Sequence, residues 1–120
     1  MSAKVLIVED NPDSREMLSF ILKYEGYNVF TASDGGEGLT QAQTTCPDLI
    51  ISDLEMPNID GIEMVRTLRH LPEYKKVPIL VLSAYDNDSL SQAIQVGATE
   101  AMRKPFELDS LVKTIKGLLN

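Results

Sequence analysis

The sequence predicts an α/β domain: a five-stranded parallel sheet with helices on both faces. Three observations predict it. Short apolar runs recur five times along the chain, each is followed by a stretch of helical periodicity, and Gly, Pro, Asn or Asp marks the joins. Right-handed crossovers between parallel strands leave few ways to arrange such a chain. At 120 residues, 43% hydrophobic and 24% charged, it has the size and composition of one globular domain with a real core.

The first strand is Lys4 to Val8, on the run Val5-Leu6-Ile7-Val8. Asn11-Pro12-Asp13 breaks it, and Asp13 is expected to cap a helix with Met17, Leu18, Ile21 and Leu22 on one face. Gly26 stops that helix; Asn28 to Ala32 is the second strand and Gly35 to Thr44 a weaker helix with Leu39 and Ala42 inward. Asp48 to Ser52 is the third strand, and Asn58-Ile59-Asp60-Gly61 opens a helix bearing Ile62, Val65 and Leu68. Val77 to Leu82 is the most apolar strand, with Pro78 tolerated at its start. Asp86-Asn87-Asp88 caps a helix with Leu90, Ile94 and Val96, closed by Gly97. Ala98 to Met102 is the fifth strand and Leu108 to Leu119 the last helix. No linker, repeat or low-complexity segment interrupts this rhythm, so residues 1–120 are expected to form one domain with no second, output domain.

Charge and cysteine usage narrow the function classes. The net charge is -7 and the pI about 4.6, against direct nucleic-acid binding, which needs a basic footprint. The single Cys46 cannot form an internal disulfide, as in a reducing compartment. The first apolar run is too short for a secretory signal, and no stretch reaches the ~20 apolar residues of a membrane span. A cytoplasmic protein without membrane contact is the expectation.

The chemistry lies at the strand ends. Glu9-Asp10 follows the first strand at once, Asp53 follows Leu49-Ile50-Ile51-Ser52, and Lys104-Pro105 follows the fifth strand. Ligands of open α/β sheets bind outside the carboxyl ends of the strands, so three carboxylates and an ammonium should converge. Two carboxylates ~6 Å apart repel by ~3 kcal/mol at an effective dielectric of 20. Such a cluster asks for a cation, and a hard oxygen-only set suits Mg²⁺. Asp53 is then the best nucleophile. Alone, each piece has an ordinary reading: Asp53 as a turn aspartate, Glu9-Asp10 as favourable charge at a helix start, Lys104 as a solvated loop lysine, Ser83 as a strand-ending polar residue.

Taken together, Glu9-Asp10, Asp53 with Leu54-Glu55-Met56-Pro57-Asn58-Ile59-Asp60-Gly61, Ser83-Ala84 and Lys104-Pro105-Phe106 resemble the receiver domain of two-component response regulators, of the stand-alone chemotaxis-regulator type. The resemblance covers the whole chain. It implies a flavodoxin-like, doubly wound sheet with strand order 2-1-3-4-5. It implies Asp53 as phosphoacceptor, forming an acyl phosphate. Glu9, Asp10, Asp53 and the backbone carbonyl of Glu55 would hold Mg²⁺, which would neutralise the incoming phosphoryl oxygens. Lys104, aimed inward by a cis bond to Pro105, would pair with a phosphoryl oxygen. Ser83 and the Ala84 N–H would bond the phosphoryl group. The implied donor is a histidine kinase or phosphotransfer protein, and the output is phosphorylation-dependent binding to an unidentified protein by a monomer or weak homodimer. Transfer and loss of phosphate would be self-catalysed, so this is not a turnover enzyme.

The pattern departs from the family at one point. The fifth strand usually carries an aromatic three residues before the lysine, and here that residue is Ala101. The usual hydroxyl-plus-aromatic switch cannot operate. Glu55 and Tyr85, each two residues past a site residue, flank the entrance, where the family tunes loss of phosphate to water.

Two other functions compete. An aspartyl-phosphate-forming phosphatase is suggested by the acid-x-acid order Asp53-Leu54-Glu55, but that motif follows the third strand and no substrate cap is evident. A flavin carrier would fit the fold, yet Glu9 to Ser14 is acidic where a flavin phosphate needs donors. His70 reads as a basic helix end, and Met17, Met56, Met64 and Met102 as core or near-core filler. The broad set Leu111, Val112, Ile115, Leu118 and Leu119 is either plain core or a partner patch.

Overall fold

Register is what brings the strand ends level. In the computed structural model, which describes residues 2–56, 60–84 and 87–120, five parallel strands pair in the order 2-1-3-4-5. They are β1 (Lys4–Val8), β2 (Asn28–Ala32), β3 (Leu49–Asp53), β4 (Ile79–Ser83) and β5 (Glu100–Arg103). Val8 lies beside Ser52, Asp53 beside Leu82, and Ser83 beside Arg103. The ladders run one residue further at the carboxyl edge: Glu9 N–H donates to Ala32 O (3.0 Å), Leu54 N–H to Leu82 O (3.0 Å) and Lys104 N–H to Ser83 O (2.8 Å). Backbone bonds therefore fix Glu9, Asp53 and Lys104 before any side chain is considered.

The strands are nearly continuous apolar runs because both faces are covered. Helices α2 (Gly35–Thr45), α3 (Gly61–Arg69) and α4 (Asn87–Gln95) cover one face, packing Ala42, Met64, Val65, Leu68 and Ala93 on Leu6, Val8, Ile50, Ile79 and Val81. On the other face, α1 (Pro12–Tyr24) and α5 (Leu108–Leu119) pack Leu18, Leu22, Leu111 and Ile115 on Val5, Ile7, Leu49, Ile51, Leu80 and Leu82. Alternation along each strand splits one hydrophobic run between two cores. Truncating any of these leucines to Ala is a loss of about 2–5 kcal/mol.

Several expectations need correction. Asn11, not Asp13, caps α1: its side chain accepts from Ser14 N–H at 3.1 Å, and Pro12 takes the first helical position. Asp13 sits in the first turn, where its charge suits the helix dipole. The third, fourth and fifth strands each start later than expected and reach one residue further, ending at Asp53, Ser83 and Arg103. Hydrophobicity marks the middle of a strand, while the polar residue at its end still pairs. In α4 Ala93 is fully buried and Leu90 packs on the same core as expected; Ile94 is 44% exposed instead, and Val96 packs from just past the helix end. Met17 is 49% exposed rather than core filler. A short 3-10 turn, Pro72–Tyr74, buries Tyr74 against the first core and had no signal in the periodicity. Among the apolar residues of α5, Leu111 and Ile115 are fully buried and Leu118 and Leu119 half-buried, so that set is mainly core. Pro57, Asn58, Ile59, Tyr85 and Asp86, and the side chain of Asn87, lie outside the described residues.

Candidate functional site

At the carboxyl edge, Glu9, Asp10 and Asp53 each offer a carboxylate oxygen within 4.8 Å of the others. Glu9 is 2% and Asp53 6% exposed, whereas Asp10 faces solvent. Lys104 reaches the pair from β5's far end: its Nζ lies 3.2 Å from Asp53 Oδ1 and 3.3 Å from Glu9 Oε1. The Lys104–Pro105 peptide is cis, as the resemblance implied. Arg15 adds a contact that no motif marked, donating from Nη1 to the Glu9 carbonyl at 2.9 Å and tying α1 to the acidic loop.

One cation does not balance this set. Burial, then the hydrogen bond and charge of Asp53, push the Glu9 carboxyl up to about 7; Lys104 pulls the other way without cancelling them. Burial alone would lower the Lys104 ammonium, but the charges and hydrogen bonds of Asp53 and Glu9 outweigh it and hold its pKa above the ordinary value. Glu9 Oε2 is buried with no hydrogen-bond partner among the described residues. A buried carboxylate oxygen is costly when unpaired. An orphaned oxygen and two further carboxylates, an oxygen-only set among the described residues, fit a hard divalent cation such as Mg²⁺.

Opposite this cluster stands a donor pair. Ser83 is fully buried at the end of β4, and its Oγ donates to Glu55 Oε2 at 2.8 Å. The Ala84 N–H donates to Glu55 Oε1 at 3.0 Å. Glu55 thus enters the site by its side chain, whereas sequence reasoning considered only its carbonyl and its place at the entrance. An acidic residue two positions after Asp53 was the available signal; which donors it would find depends on loop geometry that spacing does not encode.

Two residues position the loop after β3. The Gly61 N–H donates to Leu54 O at 3.1 Å, and a Cβ there would stand 2.5 Å from Asp53 O and 2.7 Å from Leu54 Cα. Only glycine lets α3 begin this close to the acidic strand end. Asp60 caps α3 by accepting from Glu63 N–H at 2.9 Å. His70 lies far from the site at the C-cap of α3, its Nδ1 bonding Arg66 O at 2.7 Å, the bland role expected of it. Ala101 is half-buried in β5 beside Val81 and packs on the first core.

Residues 5–116 match the family model described as the response regulator receiver domain. The chain is 40% identical over 119 residues to the alkaline phosphatase synthesis transcriptional regulatory protein PhoP of Bacillus subtilis, covering 96% of this chain and 49% of that protein. It is 38% identical over 120 residues to the response regulator MprA of Mycobacterium bovis, covering 99% and 51%. The chain thus spans about half the length of these curated relatives. Among solved structures, the chemotaxis response regulator CheY4 of Vibrio cholerae superposes with a TM-score of 0.93 at 41% identity, covering 99% of this chain and 100% of that one.

Proposed function

The chain belongs to the response regulator receiver domain family, and from that premise we propose that Asp53 takes a phosphoryl group in a Mg²⁺-dependent reaction. The donor is a histidine kinase or phosphotransfer protein. The observation that carries the reading is the convergence of Asp53 with Glu9, Asp10 and Lys104 at one sheet edge.

An Asp53 carboxylate oxygen forms the new bond to phosphorus while the bond from phosphorus to the donor's imidazole nitrogen breaks; the imidazole leaves with a proton and an acyl phosphate remains. Lys104, already held within 3.3 Å of both carboxylates, offers its ammonium to a phosphoryl oxygen. Ser83 Oγ and the Ala84 N–H offer two more donors from the end of β4. Glu9, Asp10 and Asp53, with the Glu55 carbonyl, would hold Mg²⁺, which when bound supplies the positive charge that offsets the phosphoryl oxygens. Receipt and loss of phosphate take place on Asp53 itself, which makes the protein a phosphorylation-gated binding module rather than a turnover enzyme, and family membership disfavours the phosphatase reading. Its place is the cytoplasm, and its output is binding to a protein partner as a monomer or weak homodimer. No helix among the described residues is long and apolar enough to cross a membrane.

The test is intact mass after incubation with acetyl phosphate. One phosphoryl group is expected on wild type with Mg²⁺, and none in chelator or on Asp53→Asn. Equal labelling of Asp53→Asn, or full labelling in chelator, sinks the assignment.

A further inference from the structure

Among the described residues, the Glu55 carboxylate accepts from Ser83 Oγ at 2.8 Å and from the Ala84 N–H at 3.0 Å. These are the donors that the proposed function gives to phosphoryl oxygens. We infer that Glu55 is an internal stand-in for the phosphoryl group, a latch that holds Ser83 and Ala84 in the unmodified protein and must leave when phosphoryl arrives. The inference rests on Asp53 being the acceptor.

Occupancy by the two anions is exclusive. Ser83 has one O–H and Ala84 one backbone N–H, and each serves one strong acceptor at a time. Both carboxylate oxygens are used, so the grip is bidentate and charge-assisted. A phosphoryl group gaining the same donors brings further negative charge beside Glu55, which repels the carboxylate out of the site. Ser83 is fully buried at the end of β4, where the incoming group meets its hydroxyl. At these two donors the exchange is of one anion for another. It sets a rate: phosphoryl entry competes with an acceptor already in place, and Glu55 acts on that step as a positioning residue. It also supplies a moving part. With Ala101 in β5 there is no ring to swing, and a ligand shifts a population only through contacts that differ between states. Glu55 makes such contacts, bound to β4 in one state and released in the other.

The test combines hydrogen exchange at the Ala84 amide with acetyl phosphate labelling in Mg²⁺, for wild type, Glu55→Gln and Glu55→Ala. In the metal-free, unphosphorylated protein, Ala84 of the wild type is expected to exchange ~10-fold more slowly than in Glu55→Ala, the effect of losing one charge-assisted bond. Labelling is expected to be ~10-fold faster in Glu55→Ala on the same ground, with Glu55→Gln between the two. Removing a negative charge near an anionic donor could also speed labelling. A Ser83→Ala background separates the two effects: action through the bond makes the Glu55→Ala acceleration shrink there, and action through charge alone leaves it whole. Equal Ala84 exchange in wild type and Glu55→Ala, or an acceleration undiminished in Ser83→Ala, overturns the latch. If wild type is never labelled, the acceptor reading falls instead, and Ala84 exchange alone judges Glu55: unequal exchange keeps the latch on the donors and equal exchange removes it.

Discussion

Glu9 carries most of the site's electrostatic tension, and its proton gives that tension a measurable sign. Folding raises its pKa from 4.5 to about 7, so between those values the folded chain holds a proton that the unfolded chain has released. Stability from this group therefore rises as pH falls from about 7 towards 4.5, and is lost as pH rises. In chelator, the wild type is expected to melt about 5 °C higher at pH 5.5 than at pH 8, and Glu9→Gln to show a much smaller difference. Saturating Mg²⁺ should remove the wild-type difference by stabilising the charged form. Metal-free melts that coincide at the two pH values would remove Glu9 from this account. The acidic residues themselves were legible from their place after apolar runs. Arg15, which bonds the Glu9 carbonyl, was not, because a lone arginine on an amphipathic helix has no pattern that names its partner.

Element starts and ends are set by contacts that periodicity does not see. In the sequence Gly61 belongs to the helix start Asn58-Ile59-Asp60-Gly61; in the fold it also sits where α3 meets the backbone of Asp53 and Leu54. Gly61→Ala should cost about 1–3 kcal/mol in denaturant unfolding, because the neighbour that must move is backbone. Labelling of Asp53 should also fall, since the shift is transmitted to the acceptor strand; a variant as stable as wild type would show that α3 can retreat freely. The same kind of contact closes the other end of that helix. Arg69 donates to Gly97 O and Val77 O, each at 2.8 Å, and to Thr99 Oγ1 at 3.2 Å, joining α3 to the starts of β4 and β5. Gly97 was read as a helix stop, which its φ of +123° bears out. A Cβ there would also meet Arg69 Cγ at 2.6 Å, a requirement no single-residue rule contains. The five strands and five helices were legible because each buries an apolar face. The Asp13 and Asn11 exchange at the α1 cap was not, since both residues are good caps and one position decides between them.

For the whole molecule, sheet order turns four scattered motifs into one site, and it also decides where a signal can travel. With Ala101 packed on the core beside Val81, β5 has no bulky ring to relocate. Hydrogen exchange of the apo protein against its beryllofluoride–Mg²⁺ complex, an analogue of the phosphorylated state, should be nearly flat across residues 99–102. Change should gather instead on the segment carrying Glu55. A large difference centred on β5 would mean that coupling crosses the sheet by another route. The ion pairs at the heart of the site join residues 51 and 95 positions apart, across β1, β3 and the end of β5. No stretch shorter than residues 9–104 contains the acceptor, its ammonium and its acidic partner together. A nascent chain that has not yet released Lys104 from the ribosome, or one clipped before it, keeps Glu9 and Asp53 without the ammonium that offsets them. Complete assembly of the phosphate-accepting set thus waits on β5 joining the sheet, so labelling reports whether Lys104 has reached Asp53 and Glu9.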